Sequence, residues 1–171
     1  NAYDFVKSLP AGEVSFDLKG NVLQVKYGNG SQIKFNTLSE TDFVDPEFEG
    51  KLMFAAKSGE IFKALKSVAY ATAVPSSTFK EIFKGILIEP GEDKSLFLVA
   101  SDSFRMAWAE LPLECQTSEQ MIVPPTLVGL VGSVFQSADE LKFKNGGNKL
   151  IVEGENAVIS TALINGSFPQ W

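Results

Sequence analysis

Between residues 51 and 163, apolar positions follow two periods, and the order of these periods repeats. Residues 51–55 alternate and predict a strand. Residues 58–71 carry Ile61, Leu65 and Val68 at helical spacing, continued by Thr72, with Phe62 and Ala69 beside them. That spacing predicts an amphipathic helix. Three strands are predicted next, at 85–89, 96–100 and 104–110. The order then recurs. Residues 120–123 predict a short strand. Residues 124–135 predict a helix, with Pro124 and Pro125 tolerated in its first turn and Leu127, Leu130, Val131 and Val134 on one face. Residues 141–144, 150–153 and 157–162 predict three more strands, turned by Asn145-Gly146-Gly147-Asn148 and Gly154-Glu155-Asn156. The repeat is one of pattern, a strand–helix–three-strand unit met twice.

The N-terminal stretch holds part of a third unit. Residues 3–9 predict a helix, and residues 13–18, 22–27 and 32–36 predict strands with turns at Gly20-Asn21 and Gly28-Asn29-Gly30. This unit lacks a first strand, so the chain is expected to begin inside a domain. Residues 38–50 are acidic, with Glu40, Asp42, Asp45, Glu47 and Glu49, and Pro46 interrupts them. They read as a solvated connector. The expected fold class is α+β, with residues 1–50 as the end of one domain plus a linker and residues 51–171 as a second domain.

Composition narrows the chemistry. Apolar residues at 44%, with 14 Phe, suffice for a packed core in 171 residues. The net charge of −6 gives no simple nucleic-acid signal, although a local basic face can exist inside an acidic whole. With no His, His-based triads and His-containing zinc sites are excluded. Cys115 stands alone, which excludes an internal disulfide and a thiolate metal cluster and fits a reducing compartment. The longest apolar stretch, 121–135, is short of the roughly 20 residues of a spanning helix and is broken by two prolines. A cytoplasmic protein without a membrane partner is expected. Gly28-Asn29-Gly30-Ser31 lacks the Lys of a phosphate loop, and Asp139-Glu140 and Glu153/Glu155 lie at turn edges where solvated charge is the default. A His-free hydrolase using carboxylates is the weakest reading, and no cofactor is expected.

The segment 96–112, LFLVASDSFRMAWAELP, carries the most information. Two apolar strands flank a polar turn at Ser101-Asp102-Ser103. Arg105 sits just past it with Asp102 as its nearest carboxylate partner. Ala100-Ser101-Asp102-Ser103-Phe104-Arg105-Met106-Ala107 resembles the ATDGHRLA segment of bacterial sliding clamps, the β subunit of DNA polymerase III. Residues 163–171, LINGSFPQW, resemble the clamp segment L-I-x-G-x-F-P-D-Y, and Thr37-Leu38-Ser39-Glu40-Thr41-Asp42-Phe43 resembles T-L-P-x-x-D-F. The three fall in the order and spacing of that one family.

The resemblance implies a DNA-clamp fold, with paired strand–helix–three-strand units, antiparallel sheets outside and helices on the inner face. It places residues 1–50 at the end of the first clamp domain and 51–171 as the middle domain. It implies a non-catalytic processivity factor that encircles duplex DNA without reading its sequence, assembles as a homodimer ring, and is served by a clamp loader. Lys7, Lys57, Lys63, Lys66 and Lys80 are the residues it would turn toward DNA. It further implies an apolar groove for linear peptide motifs of the DNA polymerase and other partners, at Phe83, Ser101, Ser103, Phe104, Arg105, Met106 and Pro169. Two positions depart from the family pattern: Ser103 replaces a Gly and Phe104 replaces a His. The helix at 124–135 carries no charge, and Gly129, Gly132 and Ser133 give it a small neutral face that either packs closely on another helix or leaves that part of the pore neutral. Weak DNA affinity is expected for the segment alone. The alternative reading is a clamp-like β-rich module that binds a protein and never touches DNA.

Overall fold

The computed structural model of the chain describes residues 1–42, 47–136 and 138–171. Phe43 of the first clamp-like motif, and Asp45 and Pro46 of the expected connector, lie outside the described residues. The chain divides into two compact units, Asn1–Glu47 and Phe48–Trp171.

In the first unit, helix α1 (Ala2–Ser8) starts at a capping box: the Asn1 side chain accepts the Asp4 amide at 3.1 Å, and Asp4 accepts from the Asn1 nitrogen. Strands β1 (Val14–Lys19), β2 (Val22–Tyr27) and β3 (Ser31–Asn36) form an antiparallel sheet in that order. Phe16, Val25 and Ile33 share one cross-strand row, and Leu18, Leu23 and Phe35 the next. Phe5 of α1 rests on Tyr27 and Phe35 at 5.3 and 5.7 Å between centroids. The expected connector opens with a turn of 3-10 helix at Glu40–Asp42, which the acid run alone did not indicate.

The second unit contains both predicted repeats. The first is β4 (Lys51–Lys57), α2 (Ser58–Ala69), β5 (Ile86–Pro90), β6 (Ser95–Ser101) and β7 (Met106–Pro112). The second is β8 (Met121–Val123), α3 (Thr126–Val134), β9 (Glu140–Asn145), β10 (Lys149–Glu153) and β11 (Val158–Ala162). The repeats do not fold separately. Sheet I runs β11-β10-β9-β4 and sheet II runs β7-β6-β5-β8, so each repeat lends its first strand to the other. Every pairing is antiparallel.

One core joins the two sheets and the two helices. Phe54 of β4 stacks on Phe143 of β9 at 4.5 Å, both fully buried, and so fixes the lent strand in its new sheet. Ile61, Leu65 and Val68 of α2 and Leu127 and Val131 of α3 enter the same core, as the helical spacing predicted. The helices are tied end to end: buried Ser58 Oγ donates to the Phe135 carbonyl at 3.0 Å. They also approach closely, because a Cβ on Gly132 would stand 2.5 Å from the Phe62 ring. Gly129 has open space around it, so only half of the neutral face is used for packing.

The free edges of the lent strands are covered. Gln116 N–H donates to the Met53 carbonyl on β4, and Ile164 N–H donates to the Ile122 carbonyl on β8. Pairing in unit 2 therefore leaves β7 and β11 as the outer strands of their sheets.

Boundary differences are small and have causes. The predicted strand at 104–110 begins at Met106, because Asp102 captures the amides of Phe104 and Arg105 and holds both in the turn. The predicted helix at 58–71 ends at Ala69, where Thr72 Oγ1 donates back to the Ala69 carbonyl. Between the predicted helix and the strand predicted at 85–89 lies a 3-10 helix, Glu81–Lys84.

Replacing Phe143 by Ala removes the partner of Phe54 at the point where the two repeats are joined. Loss of about 3–5 kcal/mol is expected, read as one shared drop in urea midpoint by far-UV and near-UV circular dichroism.

Candidate functional site

The two sheets differ on their outer faces. Strand alternation puts Lys142, Lys144 and Glu153 outside on sheet I, where Lys144 donates to Glu153 and the hydrogen bond holds that carboxyl below its ordinary value. Sheet II turns Leu87, Val99 and Ile122 outward, and all three are buried. What covers them is the C-terminal segment after β11, with Ile164 and Phe168, together with Ile82 of the 3-10 helix. This strap passes very close to that helix: a Cβ on Gly166, which has φ +137°, would stand 2.5 Å from the Ile82 side chain. Between β5 and the strap opens a groove of about 610 Å³, lined by Leu87, Glu89, Gln120, Phe168, Pro169 and Trp171.

Of the residues predicted for a peptide groove, Ser101, Met106, Phe83 and Pro169 belong to this face. Ser101 and Met106 are cross-strand partners at its β6–β7 end, and Met106 is 48% exposed. Phe83 meets Phe168 edge-on at 6.3 Å, and Pro169 follows Phe168 in the groove wall.

The other three, Ser103, Phe104 and Arg105, sit in the β6–β7 turn. Asp102 organises it. Its Oδ1 accepts the amides of Phe104 and Arg105, both at 3.1 Å, and its Oδ2 accepts Arg105 Nε at 2.9 Å. Desolvation pulls the Asp102 carboxyl upward, but the two amides and the Arg105 guanidinium outweigh it and hold the carboxyl below its ordinary value. Ser101 Oγ donates to the Arg105 carbonyl at 2.9 Å and accepts the Ser103 amide at 3.2 Å. Ser103 has φ +75°, the left-handed region that Gly occupies without strain, which is the physical reason for the Gly that the family pattern carries here.

Phe104 is 85% exposed. Its ring meets Phe79 at 5.9 Å, and the Arg105 guanidinium lies 5.9 Å from the Tyr70 ring centre. Tyr70 and Phe79 were not among the predicted site residues, since neither lies on a periodic face. Trp108 and Trp171 were missed as well. The signal for Trp108 was its outward position, two residues beyond Met106 in the alternation of β7.

The predicted DNA-facing lysines divide between the units. Lys63 and Lys66 are exposed on α2, on the side away from buried Ile61 and Leu65. Lys66 Nζ lies 5.9 Å from the Phe62 ring centre. Lys57, just before α2, pairs with Glu60 at 3.5 Å. Lys80 is exposed at the entry to the 3-10 helix. Lys7 belongs to the first unit, in the last turn of α1 with its Nζ 5.9 Å from the Tyr3 ring centre. Helix α3 presents no charge. Among the described residues, no three His, Cys, Asp or Glu side chains are grouped to hold a metal ion, and burial raises the pKa of the half-buried Cys115 thiol. No helix among them is long and apolar enough to cross a membrane.

Comparison with known proteins agrees with this architecture. Residues 57–170 match the family model described as DNA polymerase III beta subunit, central domain. The chain is 22% identical over 173 residues to the beta sliding clamp of Salmonella typhimurium, covering 99% of the chain and 46% of that protein. It is 24% identical over 130 residues to the beta sliding clamp of Borreliella burgdorferi, covering 76% of the chain and 33% of that protein. The chain thus spans about half the length, or less, of these relatives. Among solved structures, the Pseudomonas aeruginosa DNA polymerase sliding clamp bound to griselimycin superposes with a TM-score of 0.82 at 24% identity, covering 98% of the chain and 46% of the clamp. The same organism's clamp with a ligand superposes at 0.79 and 25% identity, with the same two coverages. With two exchanged repeats, two inner helices, antiparallel outer sheets and a family match over most of its length, the chain belongs to the DNA polymerase III beta subunit family, the bacterial sliding clamps.

Proposed function

We propose that this chain is a segment of a ring that encircles duplex DNA and tethers a DNA polymerase to it. Residues 1–50 end its first domain and residues 51–171 form its middle domain. The work is topological, carried out in the cytoplasm without catalysis or cofactor. The ring is a homodimer of the full-length protein, opened and closed on DNA by a clamp loader. The observation that carries the reading is the division of unit 2 into two working surfaces. A mildly basic helix face with Lys63 and Lys66 lies on α2, and an apolar, strap-covered face lies on the outside of sheet II. Lysines at the DNA side attract phosphate by charge alone and leave the ring free to slide. Lys57 and Lys80 are further DNA-facing lysines of the middle domain, Lys7 is one on the first domain, and neutral α3 keeps the contact weak.

The outer groove docks linear peptide motifs of the polymerase and other partners. Pro169 lines it, and Phe83 and Met106 add apolar surface on the same outer face, where Leu and Phe anchors fit. Phe104 forms an aromatic rim beside them, and Arg105, held by Asp102, presents its remaining N–H donors to polar groups of the peptide. Ser101 and Ser103 fix the turn that carries both residues. The alternative, a clamp-like module that binds protein and not DNA, draws on the uncharged α3 and on Phe104 in place of His.

The deciding experiment is retention of the full-length protein, loaded by its clamp loader, on nicked circular DNA against the same DNA linearised. Retention on circles and loss from linear ends is expected. Retention on neither removes the ring and leaves the protein-binding module. Lys63→Glu combined with Lys66→Glu is expected to lower loading several-fold and to flatten its salt dependence, with peptide affinity unchanged. Normal loading, measured by gel filtration of labelled circles, removes both lysines from the DNA face. Phe104→Ala is expected to weaken a Leu/Phe-anchored peptide about tenfold by calorimetric titration, while the urea midpoint stays constant. Unchanged affinity counts against the aromatic rim. Ser103→Gly relieves the left-handed backbone and is expected to raise stability by about 0.5–1 kcal/mol, seen as a higher thermal midpoint.

A further inference from the structure

We propose that Phe97, Trp108 and Trp171, with Glu89 and Glu110 at their margins, seat a guanidinium or ammonium side chain of the docked peptide, on the stretch next to its apolar anchors. The inference rests on the peptide-docking reading and extends it to the chemistry of the ligand.

The seat follows from strand register. Glu89 of β5, Phe97 of β6 and Glu110 of β7 form one row across the outer face of sheet II, and Leu87, Val99 and Trp108 form the adjoining row. Neighbouring strands lie about 4.8 Å apart, so the two carboxylates flank the Phe97 ring at about 10 Å between their backbones. Trp171, at the end of the strap, completes the group. Its ring stands 5.4 Å from Phe97 and 6.3 Å from Trp108, and its Nε1 donates to Glu89 at 2.8 Å. Phe97 and Trp108 are 6.3 Å apart. Trp108 is 54% and Trp171 43% exposed.

Charge decides the occupant. The outward positions of β5, β6 and β7 carry Glu89 and Glu110 and no Lys or Arg. Glu110 has no hydrogen-bond or ion-pair partner among the described residues, and Glu89 is occupied only by the Trp171 indole. Indole faces attract cations through their quadrupole, most strongly among aromatic rings, and an adjacent carboxylate adds a directional partner. An apolar anchor alone would leave Glu110 without a partner and Glu89 with the indole only. A cationic side chain satisfies them and the rings together. The place is continuous with the groove: Met106 and Trp108 point the same way two residues apart on β7, and Pro169 and Trp171 lie two residues apart on the strap. A peptide anchored at Met106 and Pro169 therefore reaches the seat within two or three extended residues.

Both tryptophans of residues 1–171 are in this cluster, so an emission change that is lost in Trp108→Phe and Trp171→Phe reports its occupancy. The test titrates the full-length protein with a decapeptide carrying Leu and Phe anchors followed by Arg, and with its Arg→Gln twin. Tryptophan emission and calorimetry are read together. The Arg peptide is expected to bind about tenfold tighter than its twin and to shift the tryptophan emission. That preference is expected to fall below twofold in Glu110→Gln, and to fall in Glu89→Gln, which keeps an acceptor for the Trp171 indole while removing charge. Equal binding of the two peptides overturns the cationic seat and leaves the docking groove standing. A preference that survives in both Gln variants also overturns it. Binding of neither peptide overturns the seat and the docking reading together.

Discussion

The exchange of first strands between the two repeats is the constraint on which the second unit depends. Each repeat supplies three neighbouring strands of one sheet and takes the fourth from the other: β4 pairs with β9, and β8 pairs with β5. Neither sheet is complete until both repeats are present, and the inner faces of both sheets then close on the same helices. The stacked pair Phe54–Phe143 sits at one such junction, fully buried. Ser58 bound to the Phe135 carbonyl, and Gly132 against the Phe62 ring, make the helices part of the same arrangement. A core shared in this way places the helices inside and the sheets outside, and so gives the unit two chemically distinct surfaces.

Those surfaces are not equivalent between the repeats. Sheet I meets solvent with charged side chains such as Lys142, Lys144 and Glu153. Sheet II presents Leu87, Val99 and Ile122, which could not stay exposed without a large loss of apolar burial. The strap with Ile164 and Phe168 packs on Leu87, Val99 and Ile122, and the groove opens between it and β5. The two sheets of unit 2 thus differ in what covers their outer faces.

A single side chain organises the β6–β7 turn. One carboxylate, Asp102, accepts two backbone amides and a guanidinium, which explains why Phe104 and Arg105 belong to the turn and not to the strand. The same capture fixes Ser103 in a left-handed conformation. It also turns Phe104 outward to Phe79 and brings Arg105 to Tyr70. Asp102 contributes to this arrangement above the ordinary carboxylate range, and the contribution fades as pH falls through its lowered value.

The sequence by itself determined the elements and their order. Periods of two and 3.6 are properties of a single strand or helix, so the alternation in β7 and the Ile61-Leu65-Val68 spacing of α2 were readable without a neighbour. The Asp102–Arg105 pair was also legible, because its partners lie three residues apart. Which strand pairs with which was not legible, since hydrogen-bonding edges carry no sequence label and β4 meets β9 more than 80 residues on. The direction of the Phe104 ring was not legible for the same kind of reason: the turn's hydrogen bonds decide where it points. The aromatic group of Phe97, Trp108 and Trp171 draws on two strands and the end of the strap. Only the tertiary structure, by folding the strap back across sheet II, brings those three rings and two carboxylates to one place.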